Sequence, residues 1–315
     1  MAGPVRAVAP FFADVAGGPA PAHCLWLHAG DGTRLRAGFW TEGAQGTVLL
    51  CPGRTEYVEK YAAAAGDLGQ RGYAMVAIDW RGQGLADRPL ADRNTGHVAK
   101  FVDYQKDLQA VLEAAQGLGL PAPFYLIGHS MGGAIGLRAL FEGLPVKAAL
   151  FSAPMWGIKI APLTRPFAHA LSASSKVLGF GHRYAPGTGP VTYVAEAPFE
   201  DNTLTTDAAM WEMMRTQVTT HPELSLGGPS LNWLHEALAE CRALVAAPAP
   251  ATPVITFLGG NERIVDVPSV ERRMASWPAG TLERVAGAEH EIMMEGPDTR
   301  ARFFDAAAAH FAAHR

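Results

Sequence analysis

The sequence predicts an α/β protein with a mostly parallel eight-stranded sheet flanked by helices and a helical segment inserted after the sixth strand. Three observations predict it. Short runs of β-branched, aromatic and aliphatic residues alternate with longer stretches at helical spacing, the pattern of strands joined by crossover helices. An Asp31-Gly32 hairpin signal sits between the first two runs. The alternation then breaks once, from Pro154 to about Pro250, before it resumes.

The elements follow in order. His23 to His28 and Leu35 to Thr41 flank the Asp31-Gly32 turn and read as an antiparallel pair. Thr47 to Cys51 reads as a strand, Glu59 to Gln70 as a helix, Ala74 to Asp79 as a strand and Phe101 to Leu118 as a long helix. The strand Phe124 to Ile127, the helix Met131 to Glu142 and the strand Lys147 to Phe151 come next. Residues 154–250 are rich in Pro, Ser, Met and Trp without a strand pattern and read as a helical cap, which divides the core into 1–153 and 251–315. Val254 to Leu258 and Leu282 to Ala286 complete the sheet, and Pro297 to Ala313 is the terminal helix. An insertion of this kind projects from the strand ends, where ligands bind in open α/β sheets.

Composition narrows the function. The chain has 315 residues, 49% of them apolar, enough to bury a large core without disulfides or metals. Its 26 Lys and Arg against 30 Asp and Glu leave a formal charge of −4, with no cationic excess for a nucleic-acid backbone. Cys24, Cys51 and Cys241 form no CxxC pair and read as reduced thiols of a cytoplasmic protein. Met1 to Ala20, with Arg6 as its one cation and Pro10 and Asp14 interrupting it, does not read as a cleaved signal, and no uncharged apolar run is long enough to span a bilayer.

Gly128-His129-Ser130-Met131-Gly132 lies between an apolar strand and a helix, the context a GxSxG nucleophile elbow requires. The turn strains its serine, and side chains two residues away on either side would crowd the neighbouring strand or helix, so glycine is needed there. Nine serines and 34 glycines in 315 residues give only about 0.1 such matches by chance. A serine hydroxyl needs a base, and His290, after the last strand and before the terminal helix, has the right address. His129 is expected to pack structurally. The string from His290 to Met294 lacks the second histidine of a zinc helix, and no metal or organic cofactor is called for.

The orienting carboxylate falls in Gly259 to Asp266, where both Glu262 and Asp266 qualify; Glu262 is favoured for its place just beyond the strand, and the other is expected to cap the following helix. The oxyanion donors are expected to be the backbone N–H groups of Met131 and of Arg54 in the loop Cys51 to Glu56.

On these motifs the chain resembles the α/β-hydrolase superfamily and, within it, the lysophospholipase L2 and monoacylglycerol lipase-like group. The resemblance runs through Cys51 to Glu56, Asp79 to Gly84, Gly96-His97, Asp103-Tyr104, Gly128 to Gly133 and Asn261 to Asp266. It reaches the insertion at Asn202 to Thr205, at His221 to Leu224 and at Gly227 to Pro229. It implies the α/β-hydrolase fold and a triad of Ser130, Glu262 and His290, with Glu262 where the superfamily more often carries Asp. Pro52 stands where lipase relatives often have His.

Met155 and Trp156 at the start of the insertion, with Met210, Trp211 and Met214 at helical spacing, are the expected acyl-chain contacts. The expected activity is hydrolysis of a small amphiphilic monoacyl ester, with peripheral membrane contact through an apolar patch of the cap; oligomeric state is not legible. A short-chain or xenobiotic esterase and a non-catalytic hydrolase-fold binding protein are the alternatives.

Overall fold

The computed structural model describes residues 7–161 and 165–315; Arg6 of the amino-terminal stretch and residues 162–164 of the expected insertion lie outside the described residues. The eight strands are β1 (His23–His28), β2 (Arg34–Trp40), β3 (Thr47–Cys51), β4 (Ala74–Asp79), β5 (Phe124–His129), β6 (Ala149–Ser152), β7 (Val254–Gly259) and β8 (Gly280–Val285). Their order across the sheet is β1-β2-β4-β3-β5-β6-β7-β8. β1 with β2 and β2 with β4 are antiparallel, with Trp26 opposite Arg36 and Arg36 opposite Asp79. The pairs from β4–β3 to β7–β8 are parallel.

Parallel strands covered on both faces must be apolar on both, and period-two alternation sends neighbours to opposite layers. In β3, Leu49 and Cys51 enter one core cluster while Val48 and Leu50 enter the other. The first layer is closed by Leu108, Val111 and Leu112 of α2 (Tyr104–Gly117), Ile135 and Leu137 of α3 (Met131–Phe141), and Val270 and Met274 of a helix at Val267–Ala275. The second is closed by Ala62, Ala65 and Leu68 of α1 (Ala62–Gln70) and by Phe303, Phe304 and Phe311 of the terminal helix Pro297–Ala313.

Two expected helices begin as tighter 3₁₀ turns, Val58–Tyr61 before α1 and Phe101–Asp103 before α2. In the first, tertiary contacts act on the turn: Asp79 Oδ1 accepts from the Val58 N–H at 2.8 Å and Glu59 is drawn into a buried pair with Arg36. β5 runs two residues past its expected end, to His129, because Gly128 and His129 pair with Phe151 and Ser152 of β6.

Between β6 and β7 the chain forms α4 (Arg165–Val177), α5 (Tyr193–Glu196), α6 (Ala208–Thr220) and α7 (Leu231–Ala246). After β7 come α8 (Val267–Ala275) and α9 (Pro297–Ala313). Asp207 caps α6 by accepting from the Met210 N–H, and Ser230 caps α7 by accepting from the Trp233 N–H. Among the described residues, 153–253 make only isolated bridges, one of which joins Gly96 to Pro229. No helix among the described residues is long and apolar enough to cross a membrane.

Candidate active site

The carboxyl ends of β3, β5, β7 and β8 carry Arg54, Ser130, Glu262 and His290 on the loops that follow them. Ser130 sits between β5 and α3 with φ +50° and ψ −117°, in the left-handed half of backbone space that an L-residue occupies only under strain. Its backbone is held on both sides: its N–H donates to the Ser152 carbonyl at 3.0 Å, and its carbonyl accepts from Gly133 and Met155 at 2.9 and 2.8 Å. The flanking glycines are required by space. A β-carbon at 132 would overlap the Cys51 carbonyl, and one at 128 would lie 2.9 Å from the Gly132 oxygen.

His290 is buried, and its Nδ1 lies 2.8 Å from Glu262 Oε2. Glu262 Oε1 accepts from the N–H groups of Ile264 at 2.6 Å and Val265 at 3.0 Å. Burial acts to raise the Glu262 carboxyl, but His290 and these two donors outweigh it and bring it down to about 2. An ionised carboxylate only accepts, so Nδ1 carries the proton and Nε2 is left with its lone pair. Burial acts to lower His290, and Glu262, then Glu291 and Glu56, outweigh it and raise its pKa above the ordinary value.

Asp266 goes elsewhere. It stands at the N-cap position of α8, where its Oδ2 accepts from the Ser269 hydroxyl rather than from a helix N–H. Glu262 is therefore the carboxylate on the imidazole.

His129 is buried against the sheet, with Nδ1 3.0 Å from the Ser152 carbonyl. Burial drives its pKa down to about 4, so it is neutral. Its ring also lies 4.9 Å from that of His290 and forms part of the cavity wall, a position that adjacency to Ser130 in sequence does not reveal.

The N–H groups of Arg54 and Met131 have no protein acceptor among the described residues. The loop that carries Arg54 is fixed by Glu56, whose Oε2 accepts from the Gly53 N–H and, at 2.6 Å, from the Tyr61 hydroxyl. Lys60 Nζ donates to Glu56 at 2.8 Å and to Glu291 at 2.5 Å, tying the Arg54 loop to the His290 loop through a buried ammonium. Burial works against the Glu56 charge, but Lys60, His129 and Tyr61 lower its carboxyl to about 2; burial raises that of Glu291 despite Lys60. Glu56, His129 and Glu291 bring ligand-type atoms within 4.8 Å of one another, and the Lys60 ammonium already bonds to both carboxylates there.

Ser130 and His290 open onto one cavity of about 400 Å³. Its apolar wall consists of Val191, Tyr193, Val194, Leu204, Leu226 and Ile264, none of them expected from sequence as an acyl contact, though Leu204 and Ile264 fall in stretches that carry the family resemblance. The five expected acyl contacts are not on this wall. Met155 (5% exposed) and Trp156 (0%) pack into the first core layer. Trp211 and Met214 (2% each) pack into the second, with Met210 against it. Large apolar side chains next to a sheet are drawn into the core first. The cavity wall is left to residues 187–189 and 191–194, the last two of which begin α5, and to loop residues 203–204 and 226–228.

Two motifs of the insertion brace this wall. Asn202 Oδ1 accepts from the N–H groups of Leu204 and Thr205, and the Leu204 carbonyl accepts from the Glu291 N–H at 2.8 Å. The Gly96 N–H donates to Gly228, and the Gly227 N–H to Asn94.

Residues 42–297 match the family described as serine aminopeptidase, S33. Lysophospholipase L2 of Escherichia coli strain K12 is 35% identical to this chain over 257 residues, covering 79% of this chain and 75% of that protein. A probable lysophospholipase L2 of Haemophilus influenzae is 29% identical over 80% of this chain and 79% of its own length. Among solved structures, a soluble variant of monoglyceride lipase from Saccharomyces cerevisiae, in complex with a substrate analog, superposes with a TM-score of 0.73 over 97% of this chain and 99% of that one. At 22% identity this last likeness concerns the fold.

Proposed function

The chain belongs to the serine aminopeptidase, S33, family of α/β-hydrolases, and from that premise we propose that it cleaves the carboxylic ester of a monoacyl lipid, as a lysophospholipase. The observation that carries the reading is the 2.8 Å contact of His290 with Glu262 on a cavity that also holds the strained Ser130.

The chemistry follows from the geometry. His290 Nε2 takes the proton of the Ser130 hydroxyl as Oγ attacks the ester carbonyl. The N–H groups of Met131 and Arg54 receive the oxyanion, and His290 returns the proton to the leaving alcohol. Water, deprotonated by the same imidazole, then releases the fatty acid from Ser130. Glu262 holds the imidazole in the reactive tautomer and stabilises the imidazolium throughout.

Residues 154–250 serve as the cap of a core formed by 1–153 and 251–315, and Val191, Tyr193, Val194, Leu204 and Leu226 of the cap receive the acyl chain with Ile264. We place the protein in the cytoplasm with peripheral membrane contact through the cap. Leu178 (70% exposed) and Tyr193 (43%) on that segment, and three buried unpaired cysteines, support this placement.

The test is hydrolysis of p-nitrophenyl esters of increasing acyl length together with a lysophospholipid. Rising kcat/KM with chain length and turnover of the lysophospholipid are expected. A preference for acetate, with no lysophospholipid turnover, would assign the site to a short-chain esterase.

A further inference from the structure

Arg54 does more than present a main-chain N–H. Arg54 lines the same cavity as Ser130, as do Gly227 and Gly228. There Nη1 donates to the Gly227 carbonyl at 2.8 Å, and the guanidinium lies over the Trp233 ring, 5.6 Å from its centroid. Gly96 leaves room for it, since a β-carbon there would lie 2.8 Å from Nη1.

What this cation lacks is a carboxylate. Arg36 is paired with Glu59 and Asp79, Arg81 with Asp31 and Asp107, and Arg138 with Glu240. Arg88 and Arg273 are held by two or more carbonyl oxygens each and do not line this cavity. Among the described residues, Arg54 has one carbonyl acceptor, and no carboxylate bonds to it. The carboxylates on the same cavity are Glu56 and Glu291, both held by Lys60, and Glu196, exposed at the rim. Burial accordingly pulls the Arg54 guanidinium down to about 10. Arg54 is half-buried; a partly desolvated cation without a carboxylate partner carries part of that cost, and a ligand anion that supplies a counter-charge recovers it. Guanidinium forks match phosphate oxygens two at a time.

We propose that the Arg54 side chain receives the phosphate of a lysophospholipid head group, so that the site takes a phosphate-bearing monoacyl lipid ahead of a neutral monoacylglycerol. This rests on the reading of the cavity as an ester-hydrolase site. In a glycerol lysophospholipid the scissile ester and the phosphate leave the same short glycerol unit. One residue thus brackets both ends, with its main chain at the oxyanion and its guanidinium at the head group.

The test compares kcat/KM for lauroyl lysophosphatidylcholine and lauroyl monoacylglycerol in the same mixed micelles, for the wild type, Arg54→Met and Arg54→Lys. The ratio of the two is the readout, because any disturbance of the oxyanion loop lowers both substrates together. The ratio is expected to fall at least about tenfold in Arg54→Met, chiefly through KM, and to recover in part in Arg54→Lys. An unchanged ratio would overturn the proposal.

A second arm needs no variant: glycerol phosphate is expected to compete with p-nitrophenyl butyrate where glycerol does not. Inhibition by inorganic phosphate at equal strength, with the substrate ratio unchanged in Arg54→Met, would assign the guanidinium to a free anion and overturn the head-group role. If no ester is turned over, the hydrolase reading falls separately. Tryptophan fluorescence then still reports on the site beside Trp233: a change on adding glycerol phosphate, lost in Arg54→Met, supports it, and no change overturns it.

Discussion

His290 Nδ1 donates to Glu262 Oε2 at 2.8 Å, while the other oxygen of that carboxylate is occupied by the N–H groups of Ile264 and Val265. The carboxylate is thus fixed by its own loop before it fixes the imidazole, and one lone pair, on Nε2, is left for the serine.

This arrangement separates the two acidic residues of the loop. Glu262→Gln keeps the shape and removes the charge that sets the tautomer, so kcat is expected to fall on the order of a thousandfold or more. Asp266→Asn, at the start of α8 beside Ser269, is expected to retain kcat within a few-fold. Steady-state kinetics on one p-nitrophenyl ester compare the two.

The pH profile follows from the same pair. His290 works as a base only when neutral, and Glu262, Glu291 and Glu56 outweigh burial to raise its pKa above the ordinary 6.5. Activity should therefore be lost on acidification with a midpoint above 6.5 in the free enzyme. His129, lowered to about 4 by burial, stays neutral across that limb. In Glu262→Gln the main charge favouring imidazolium is gone, and the residual kcat/KM–pH profile should shift its midpoint downward.

Lys60 bridges two buried carboxylates on loops far apart in sequence. Lys60→Met would leave Glu56 and Glu291 facing each other without the ammonium, and a stability loss of about 3–5 kcal/mol is expected. Chemical denaturation checks it, and the double variant Lys60→Met/Glu291→Gln should recover part of the loss.

Gly132 is the tightest point of the elbow. Gly132→Ala drives a β-carbon into the Cys51 carbonyl and the Pro52 carbonyl behind it, so a destabilisation on the order of 3 kcal/mol and loss of esterase activity are expected. Gly143→Ala, at φ +85° in open space, strains the backbone without a clash and should leave activity intact with a smaller loss of stability.

The sheet was legible because fully buried strands are continuous apolar runs, and the elbow because its two glycines are demanded by local contacts. Between Glu262 and Asp266 the position just beyond the strand favoured Glu262 while leaving both open, since they share one short segment, and the fold turns Glu262 toward His290. Met155, Trp156, Met210, Trp211 and Met214 misled because size and hydrophobicity suit a core as well as a lipid pocket. The wall of the cavity is made largely of loop residues whose roles depend on distant partners, as Leu204 depends on Glu291 and Gly228 on Gly96. The bridge through Lys60 gave no signal either, because its second partner, Glu291, is 231 residues away.

The most direct measurement is fatty-acid release from a lysophospholipid by the wild type and Ser130→Ala, with a fluorophosphonate used to map the adduct. Turnover in the wild type, a loss of at least about a thousandfold in Ser130→Ala and a single adduct on Ser130 are expected. Undiminished release by Ser130→Ala, or an adduct on another residue, would contradict Ser130 as the nucleophile.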